Sequence, residues 1–200
     1  MNEEKSDIRK KIKTILENNK CNFAQWSETI CHKIINSVEF TEATIILSYM
    51  ALPDEVNLKT VNKQALLQDK KVYIPRIVPN SNLMDFYAFN QKNYHTGLFG
   101  IEEPDLSLEK FEIEKVILES KVKNQSVLVL VPGRAFTKDG KRLGRGKGFY
   151  DLFLEKIIKK TGDSTNCKIS CVGICFNCQL LADLPVTAHD VLMQKVISQE

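Results

Sequence analysis

Glycines and basic residues alternate in one short segment in the second half of the chain. Gly144, Gly146 and Gly148 stand at every second position, and Arg145 and Lys147 lie between them. Glycine lets the backbone approach a bound group closely, because it has no Cβ. Arginine and lysine pair with phosphate oxygens. The pattern therefore predicts a loop that binds a polyphosphate. The alternative that it leaves open is a solvated basic loop whose glycines only form a turn.

The residues on either side place this loop, over 131–151, between a strand and a helix. An uninterrupted apolar run at 127–131 is typical of a buried strand, and the stretch 149–160 is typical of a helix. Ligands bind at the carboxyl ends of strands in open α/β sheets. A helix N-terminus also offers free N–H groups to an anion. The position of the loop thus favours phosphate binding.

The spacing excludes two common phosphate-binding motifs. A P-loop requires a glycine five residues before its Gly-Lys pair and a Ser or Thr after the lysine. Around Gly146-Lys147, those positions hold Lys141 and Gly148. The dinucleotide-binding fingerprint requires a third glycine where Phe149 stands.

The charge of the chain is concentrated around the same loop. The 200 residues carry a net charge of +3, whereas residues 138–160 contain eight basic and three acidic residues and carry +5. A basic cluster on a near-neutral protein favours a compact anion over a surface that coats nucleic acid. Hydrophobic residues make up 43% and charged residues 26%, which excludes disordered and collagen-like chains.

The sequence contains no apolar run near the roughly 18 residues that a membrane helix needs. The N-terminal residues MNEEKSDIRKKIK contain no apolar signal core. We therefore expect a cytoplasmic protein that binds no membrane and whose six cysteines are free thiols. The four cysteines at 167–178 are expected to be packing residues, because neighbours on an extended strand lie too far apart to share one zinc ion.

Hydrophobic periodicity predicts helices that alternate with strands. Helices are predicted over 3–18, 24–38, 57–68 and 149–160. Strands are predicted over 43–49, 71–74 (ended by Pro75), 84–89, 126–131, 169–176 and 192–198. The stretch 92–126 shows no clear pattern. Such alternation predicts a single domain, 1–200, with an α/β fold: a three-layer α/β/α sandwich around a mostly parallel, mixed sheet.

The segment LVLVPGRAFTKDGKRLGRGKGFYD, at 128–151, closely resembles the signature of the 5-formyltetrahydrofolate cyclo-ligase (methenyltetrahydrofolate synthetase) family, with Phe149 where tyrosine is common. The turn at 50–55 is slightly longer than in the family pattern. Further matches follow in order along most of the chain: Lys5 and Arg9, Glu55, Ile74-Pro75-Arg76, Gly100-Ile101-Glu102-Glu103-Pro104, Val172-Gly173-Ile174, Gln179, Leu184-Pro185 and His189-Asp190.

The resemblance implies an enzyme that uses ATP and Mg²⁺ to convert 5-formyltetrahydrofolate to 5,10-methenyltetrahydrofolate, with release of ADP and phosphate. In this family the formyl oxygen is phosphorylated, and N10 then closes the ring as phosphate leaves. The implied partner is therefore a folate, whose glutamate tail has a length that the sequence does not fix. We expect a monomer that binds no nucleic acid.

The resemblance also implies roles for individual residues. Arg145 and Lys147 are expected to stabilise the transferring phosphoryl group, and Asp151 and Asp190 to bind Mg²⁺, with His189 orienting Asp190. ATP is expected to contact Lys5, Arg9, Arg142, Leu143, Gly144, Arg145, Gly146, Lys147, Gly148, Phe149 and Tyr150. The folate is expected to contact Met50, Glu55, Arg145, Gly146, Lys147, Gly148, Phe149 and Tyr150, with Tyr49 beside them.

Two other functions stay open at this point. One is another ATP-dependent phosphoryl-transfer enzyme on the same fold. The other is a non-catalytic protein that binds anions or nucleic acid through the basic loop, and its binding would weaken steeply with salt. The second gives no reason for Glu55, Asp151 or Asp190.

Overall fold

The computed structural model describes residues 2–90, 94–97, 100, 102–162, 166–187 and 190–200. Within these ranges the strands are β1 (Ile45–Leu47), β2 (Lys71–Ile77), β3 (Met84–Ala88), β4 (Tyr94–Thr96), β5 (Glu102–Pro104), β6 (Gln125–Pro132), β7 (Ala135–Phe136), β8 (Arg142–Leu143), β9 (Cys167–Ile174) and β10 (Lys195–Ile197). Six of them form one sheet in the order β10-β9-β6-β1-β2-β3. The others form two antiparallel pairs, β4 with β5 and β7 with β8.

The central sheet is parallel except at one edge. β1 pairs with β2 and β6, and β9 pairs with β6 and β10, all in parallel register. Only β3 runs antiparallel to its neighbour. Residues 127–131 of β6 are fully buried, because this central strand is covered on both faces. The predicted mostly parallel, mixed sheet is confirmed.

Helices cover both faces of the sheet. They are α1 (Asn2–Asn19), α2 (Phe23–Ile35), α3 (Val38–Glu42), α4 (Lys59–Leu67), α5 (Ile113–Ser120) and α6 (Phe149–Thr161). Buried residues of α1 to α4 pack with Leu128 and Leu130 on one face of β6. Those of α5 and α6 pack with Val127 and Val129 on the other face. The predicted three-layer α/β/α sandwich is therefore confirmed.

The prediction that Pro75 ends the second strand is wrong, since β2 continues to Ile77. The Tyr73 carbonyl accepts from Ser48 N, so the polar groups of residues 73 and 75 face β1. β1 ends at Leu47, and no ladder donor is needed beside Pro75. A proline is tolerated in a strand where no neighbouring strand would accept a hydrogen bond from its nitrogen.

Two further differences concern segments with weak sequence patterns. The predicted helix over 24–38 is interrupted after Ile35, and Ser37 caps the next helix by accepting from Phe40 N at 3.2 Å. The stretch 92–126 contains the β4–β5 pair and α5 among its described residues. β2 and β5 are in contact, and β5 brings Glu103 toward the end of β2.

Of the four cysteines predicted to be packing residues, Cys167, Cys171 and Cys175 are buried in the core, and Cys178 is partly buried against it. Burial raises the pKa of the Cys171 thiol to about 12, so this thiol is protonated near neutral pH. Within the described ranges, no helix is both long enough and apolar enough to cross a membrane.

Candidate active site

The carboxyl ends of β1, β2 and β6 border one pocket. Met50 follows β1, Ile77 ends β2 and Gly133 follows β6, and all three line it. The loop between β8 and α6 forms the adjoining wall. The lining includes these residues singled out from the sequence: Tyr49, Met50, Glu55, Arg142, Gly144, Arg145, Lys147, Gly148, Phe149, Tyr150 and Asp151. Positions predicted for phosphate and positions predicted for folate therefore share one pocket.

The three alternating glycines have different structural reasons. Gly146 and Gly148 adopt φ angles of +100° and +73°, which side chains with a Cβ rarely adopt. Gly148 also precedes the first turn of α6. A Cβ at Gly144 would lie 3.0 Å from Arg142 Nη1, so this glycine leaves room for a buried guanidinium. Two glycines shape the loop and the third lets it lie close to Arg142.

Arg142 anchors the glycine-rich loop to the residues on either side of it. Its side chain is only 4% exposed. Nη2 donates to Asp151 Oδ1 at 2.6 Å and Nη1 donates to the Pro132 carbonyl at 3.2 Å. The guanidinium also lies 5.7 Å from the centre of the Tyr150 ring, within the range of a cation–π contact. These contacts tie the end of β6, the loop and the start of α6 together.

Lys147 lies at the pocket with its charge uncommitted. The residue is exposed, lines the pocket and has no hydrogen-bond or ion-pair partner within the described ranges. An ammonium in this state can pair with an incoming anion without first breaking another contact. The geometry therefore suits the role predicted for Lys147.

Arg145 is held by two carboxylates. Its Nε donates to Glu55 Oε1 at 2.9 Å, and its Nη2 donates to Asp54 Oδ1. Glu55 is itself fixed, because its Oε2 accepts from Leu52 N at 3.0 Å. The residue predicted to bind folate and a residue predicted to bind the phosphoryl group are thus in direct contact.

The N-terminal helix docks on the far side of the loop. Arg9 Nε donates to the Gly144 carbonyl at 2.9 Å, and Lys5 Nζ donates to Asp190 Oδ2 at 2.9 Å. The two residues are four apart on α1 and so share one helix face. Neither lines the pocket described above, nor do Leu143, Gly146 and Asp190. Leu143 is instead a core residue, 2% exposed.

Two tyrosine hydroxyls near the pocket differ in their partners. Tyr49 Oη donates to the Val56 carbonyl at 3.0 Å, so this hydroxyl is already used within the protein. Tyr150 Oη is buried and has no hydrogen-bond partner within the described ranges. Burial raises the pKa of Tyr150, which keeps its phenol neutral. The Tyr150 hydroxyl is therefore available as a donor to a bound molecule.

Asp151 and Asp190 fit Mg²⁺ in their chemistry. One carboxylate oxygen of Asp151 pairs with Arg142, and one of Asp190 pairs with Lys5. The second oxygen of each carboxylate has no partner within the described ranges. Burial alone would raise the pKa of Asp190, but hydrogen bonds from Lys5 and Thr187 outweigh it and lower that pKa. Magnesium prefers oxygen ligands and often takes only one or two carboxylates besides phosphate oxygens.

The expectation for His189 lies outside the described residues. Within the described ranges, no three acidic, histidine or cysteine side chains gather into a metal cluster.

Comparison with known proteins decides the family. A model of the "5-formyltetrahydrofolate cyclo-ligase family" matches residues 1–199. The chain belongs to this family. A Caenorhabditis elegans relative named "Probable 5-formyltetrahydrofolate cyclo-ligase" is 30% identical, covering 98% of this chain and 92% of its own length. The mouse relative named "5-formyltetrahydrofolate cyclo-ligase" is 26% identical, covering 86% of this chain and 81% of its own length.

The chain is also similar in structure to solved methenyltetrahydrofolate synthetases. An Aquifex aeolicus 5,10-methenyltetrahydrofolate synthetase superposes with a TM-score of 0.75 at 25% identity, covering 98% of this chain and 90% of that one. A synthetase from Mycoplasma pneumoniae has a TM-score of 0.69 at 19% identity, covering 98% and 99%, and this second likeness shows the fold alone. The sequence-based identification of a cyclo-ligase family enzyme is confirmed.

No role was assigned from the sequence to three charged residues at the site of this cyclo-ligase family member: Asp54, Glu103 and Arg134. Asp54 contacts both Arg145 and Arg134. Glu103 is 6% exposed and lines the pocket, with Oε2 3.8 Å from Arg76 Nε. The Glu55 match had already drawn attention to the turn that holds Asp54, but no local pattern links that turn to Arg134.

Proposed function

We propose that this chain converts 5-formyltetrahydrofolate to 5,10-methenyltetrahydrofolate, with ATP cleaved to ADP and phosphate. The proposal depends mainly on one observation: the glycine-rich basic loop and the carboxylate of Glu55 border the same pocket. Bound there, a pterin and a triphosphate would lie side by side. Such positioning removes much of the barrier to a reaction between two substrates.

The chemistry needs ATP because an amide oxygen is a poor leaving group. The formyl oxygen attacks the γ-phosphorus, a new P–O bond forms, and the bond to ADP breaks. N10 then attacks the activated formyl carbon and loses its proton. The C–O bond breaks, and phosphate leaves with the former formyl oxygen.

Lys147 and Arg145 would supply positive charge to the transferring phosphoryl group. Lys147 is exposed at the pocket and has no partner among the residues that the structure describes. Cations positioned where negative charge develops are a main source of rate acceleration in phosphoryl transfer. Backbone N–H groups at the start of α6 add the partial positive charge of a helix N-terminus.

The folate would bind through Glu55 and an apolar wall. The carboxylate of Glu55 can accept hydrogen bonds from the amino group and a ring N–H of the pterin. Met50, Met84 and Phe149 line the same pocket and can pack on flat rings. The free hydroxyl of Tyr150 is a further donor for either substrate.

Asp151 and Asp190 would hold Mg²⁺ through their uncommitted oxygens. The ion would neutralise charge on the phosphates. Arg142 would keep Asp151 oriented, and Lys5 would keep Asp190 oriented. We also propose that the protein acts as a monomer.

The direct test is to mix the protein with ATP, Mg²⁺ and 5-formyltetrahydrofolate at neutral pH and to record the absorbance of the methenyl product. We expect product only in the complete mixture. Mixtures without ATP, and with a non-hydrolysable ATP analogue in its place, serve as controls. A folded protein that forms no product, or that forms it equally well without ATP, would refute the proposal.

A further inference from the structure

One carboxylate, Asp54, lies between two arginines at the edge of the pocket. Its Oδ1 accepts from Arg145 Nη2, and its Oδ2 accepts from Arg134 Nη1. Asp54 does not line the pocket itself but lines, together with Arg145, a second groove. It therefore contacts Arg145 from outside the pocket that Glu55 and the glycine-rich loop border.

Arg134 gives Asp54 a fixed attachment. The backbone N–H of Arg134 donates to the Leu143 carbonyl at 2.7 Å. The side chain of Gln179, 2% exposed, donates to the carbonyls of Gly133 and Arg134 at 2.9 and 3.1 Å. The Arg134 side chain is only 14% exposed. Asp54 is thus tied to a segment that β8 and Gln179 hold in place.

Arg145 contacts both carboxylates from one side of its guanidinium, with Nε on Glu55 and Nη2 on Asp54, while Nη1 has no partner within the described ranges. The Nε N–H becomes available to a phosphate only when Glu55 releases it. Glu55 has an alternative use, because the pterin offers N–H donors to the same oxygen. Asp54 has no comparable alternative, since it lies outside the pocket and is shared with Arg134. When folate binds to the Glu55 carboxylate, the Nε N–H of Arg145 becomes free, while Nη2 still donates to Asp54.

We propose that Asp54, fixed by Arg134, is a positioning residue that holds Arg145 beside the phosphate loop while Glu55 exchanges its contact with Arg145 for folate. This inference rests on the proposed function. Burial alone would raise the pKa of Asp54, but Arg145 and Arg134 outweigh it and lower that pKa. Asp54 therefore stays ionised near neutral pH and retains its hold on the guanidinium.

The test measures how tightly the non-hydrolysable analogue AMP-PNP binds, with Mg²⁺ and saturating 5-formyltetrahydrofolate, by calorimetry. The variants are Asp54→Asn, Arg145→Gln and the double variant. We expect each single variant to weaken binding about tenfold, since losing the alignment of a charged contact costs at least that much. In the Arg145→Gln background, Asp54→Asn should add nothing, because it acts only through Arg145.

Two further variants separate positioning from general stability. Arg134→Gln should weaken AMP-PNP binding in the same direction as Asp54→Asn and add little to it. Glu39→Gln is the matched control: that carboxylate is 26% exposed, close to the 28% of Asp54, is paired with Lys195, and also has a lowered pKa. It should leave binding unchanged. Thermal melting checks that each variant is folded.

The inference fails if Asp54→Asn binds AMP-PNP as the unaltered protein does, or if its effect multiplies with that of Arg145→Gln. It also fails if Arg145→Gln does not weaken binding. These outcomes differ from failure of the proposed function, in which the unaltered protein makes no methenyl product. If the unaltered protein is active but Asp54→Asn does not change AMP-PNP binding, only the inference about Asp54 fails.

Discussion

At the residue scale, Lys147 differs from the two arginines beside the glycines, Arg142 and Arg145. Arg142 is buried on Asp151, and Arg145 is shared by two carboxylates. Lys147 has no such partner within the described ranges, so its charge is available as soon as a phosphate arrives. Since it makes no contact with the folded protein that would be lost, its removal should affect chemistry and not stability.

We therefore expect Lys147→Ala to lower kcat by about a hundredfold or more and to change the free energy of unfolding by no more than about 0.5 kcal/mol. Steady-state rates and urea unfolding measure the two quantities. Lys138→Ala is the matched control, because Lys138 is an exposed lysine of the same basic segment and does not line the pocket. Equal rates in the two variants would show that Lys147 has no role in the reaction.

The sequence could indicate features of the candidate site whose residues lie close together along the chain. The spacing of Gly144, Gly146 and Gly148 predicted a phosphate-binding loop, and two of them do have the backbone angles that require glycine. It could not predict the contact of Arg134 with Asp54, because 80 positions separate them. Such pairs are set by the fold and leave no local pattern.

At the element scale, α1 and the loop form one unit. Arg9 donates to the carbonyl of Gly144, and a Cβ at Gly146 would lie 3.5 Å from the Arg9 guanidinium. The helix thus supports the back of the loop whose other side faces the pocket. Removing this support should loosen the loop and weaken nucleotide binding.

We expect Arg9→Ala to raise the KM for ATP about tenfold, which is the effect of losing one hydrogen bond from a charged group. Lys11→Ala is the control, because Lys11 is an exposed basic residue of the same helix and has no partner within the described ranges. Initial rates at varied ATP concentration give both constants. The docking of α1 would be irrelevant to nucleotide binding if the two variants had the same KM.

Helices and strands were easier to predict from the sequence when burial gave them a clear pattern of apolar residues. β6 is apolar at five consecutive positions because it is covered on both faces, and its prediction was correct within one residue at each end. β5 spans Glu102–Pro104 and contains two glutamates, so its residue types resemble a loop. α5 has only eight residues and no side-chain cap at its start, which removes the usual boundary signal.

At the scale of the whole molecule, the sheet brings the two halves of the site together. β1 and β6 are parallel neighbours, so the turn after β1 and the loop after β6 emerge at the same edge. The turn carries Glu55 and the loop region carries Arg145, 90 positions apart. The alternation of helices and strands predicted this fold, but only the strand order shows that these two segments meet.

The central claim is that the formyl oxygen attacks the γ-phosphate of ATP in this pocket. Its most direct test is to supply 5-formyltetrahydrofolate with ¹⁸O in the formyl group and to analyse the released phosphate by mass spectrometry. We expect one ¹⁸O atom in each phosphate during a single turnover, and none when the label is in the water instead. Unlabelled phosphate from labelled folate, with the methenyl product formed normally, would contradict the account.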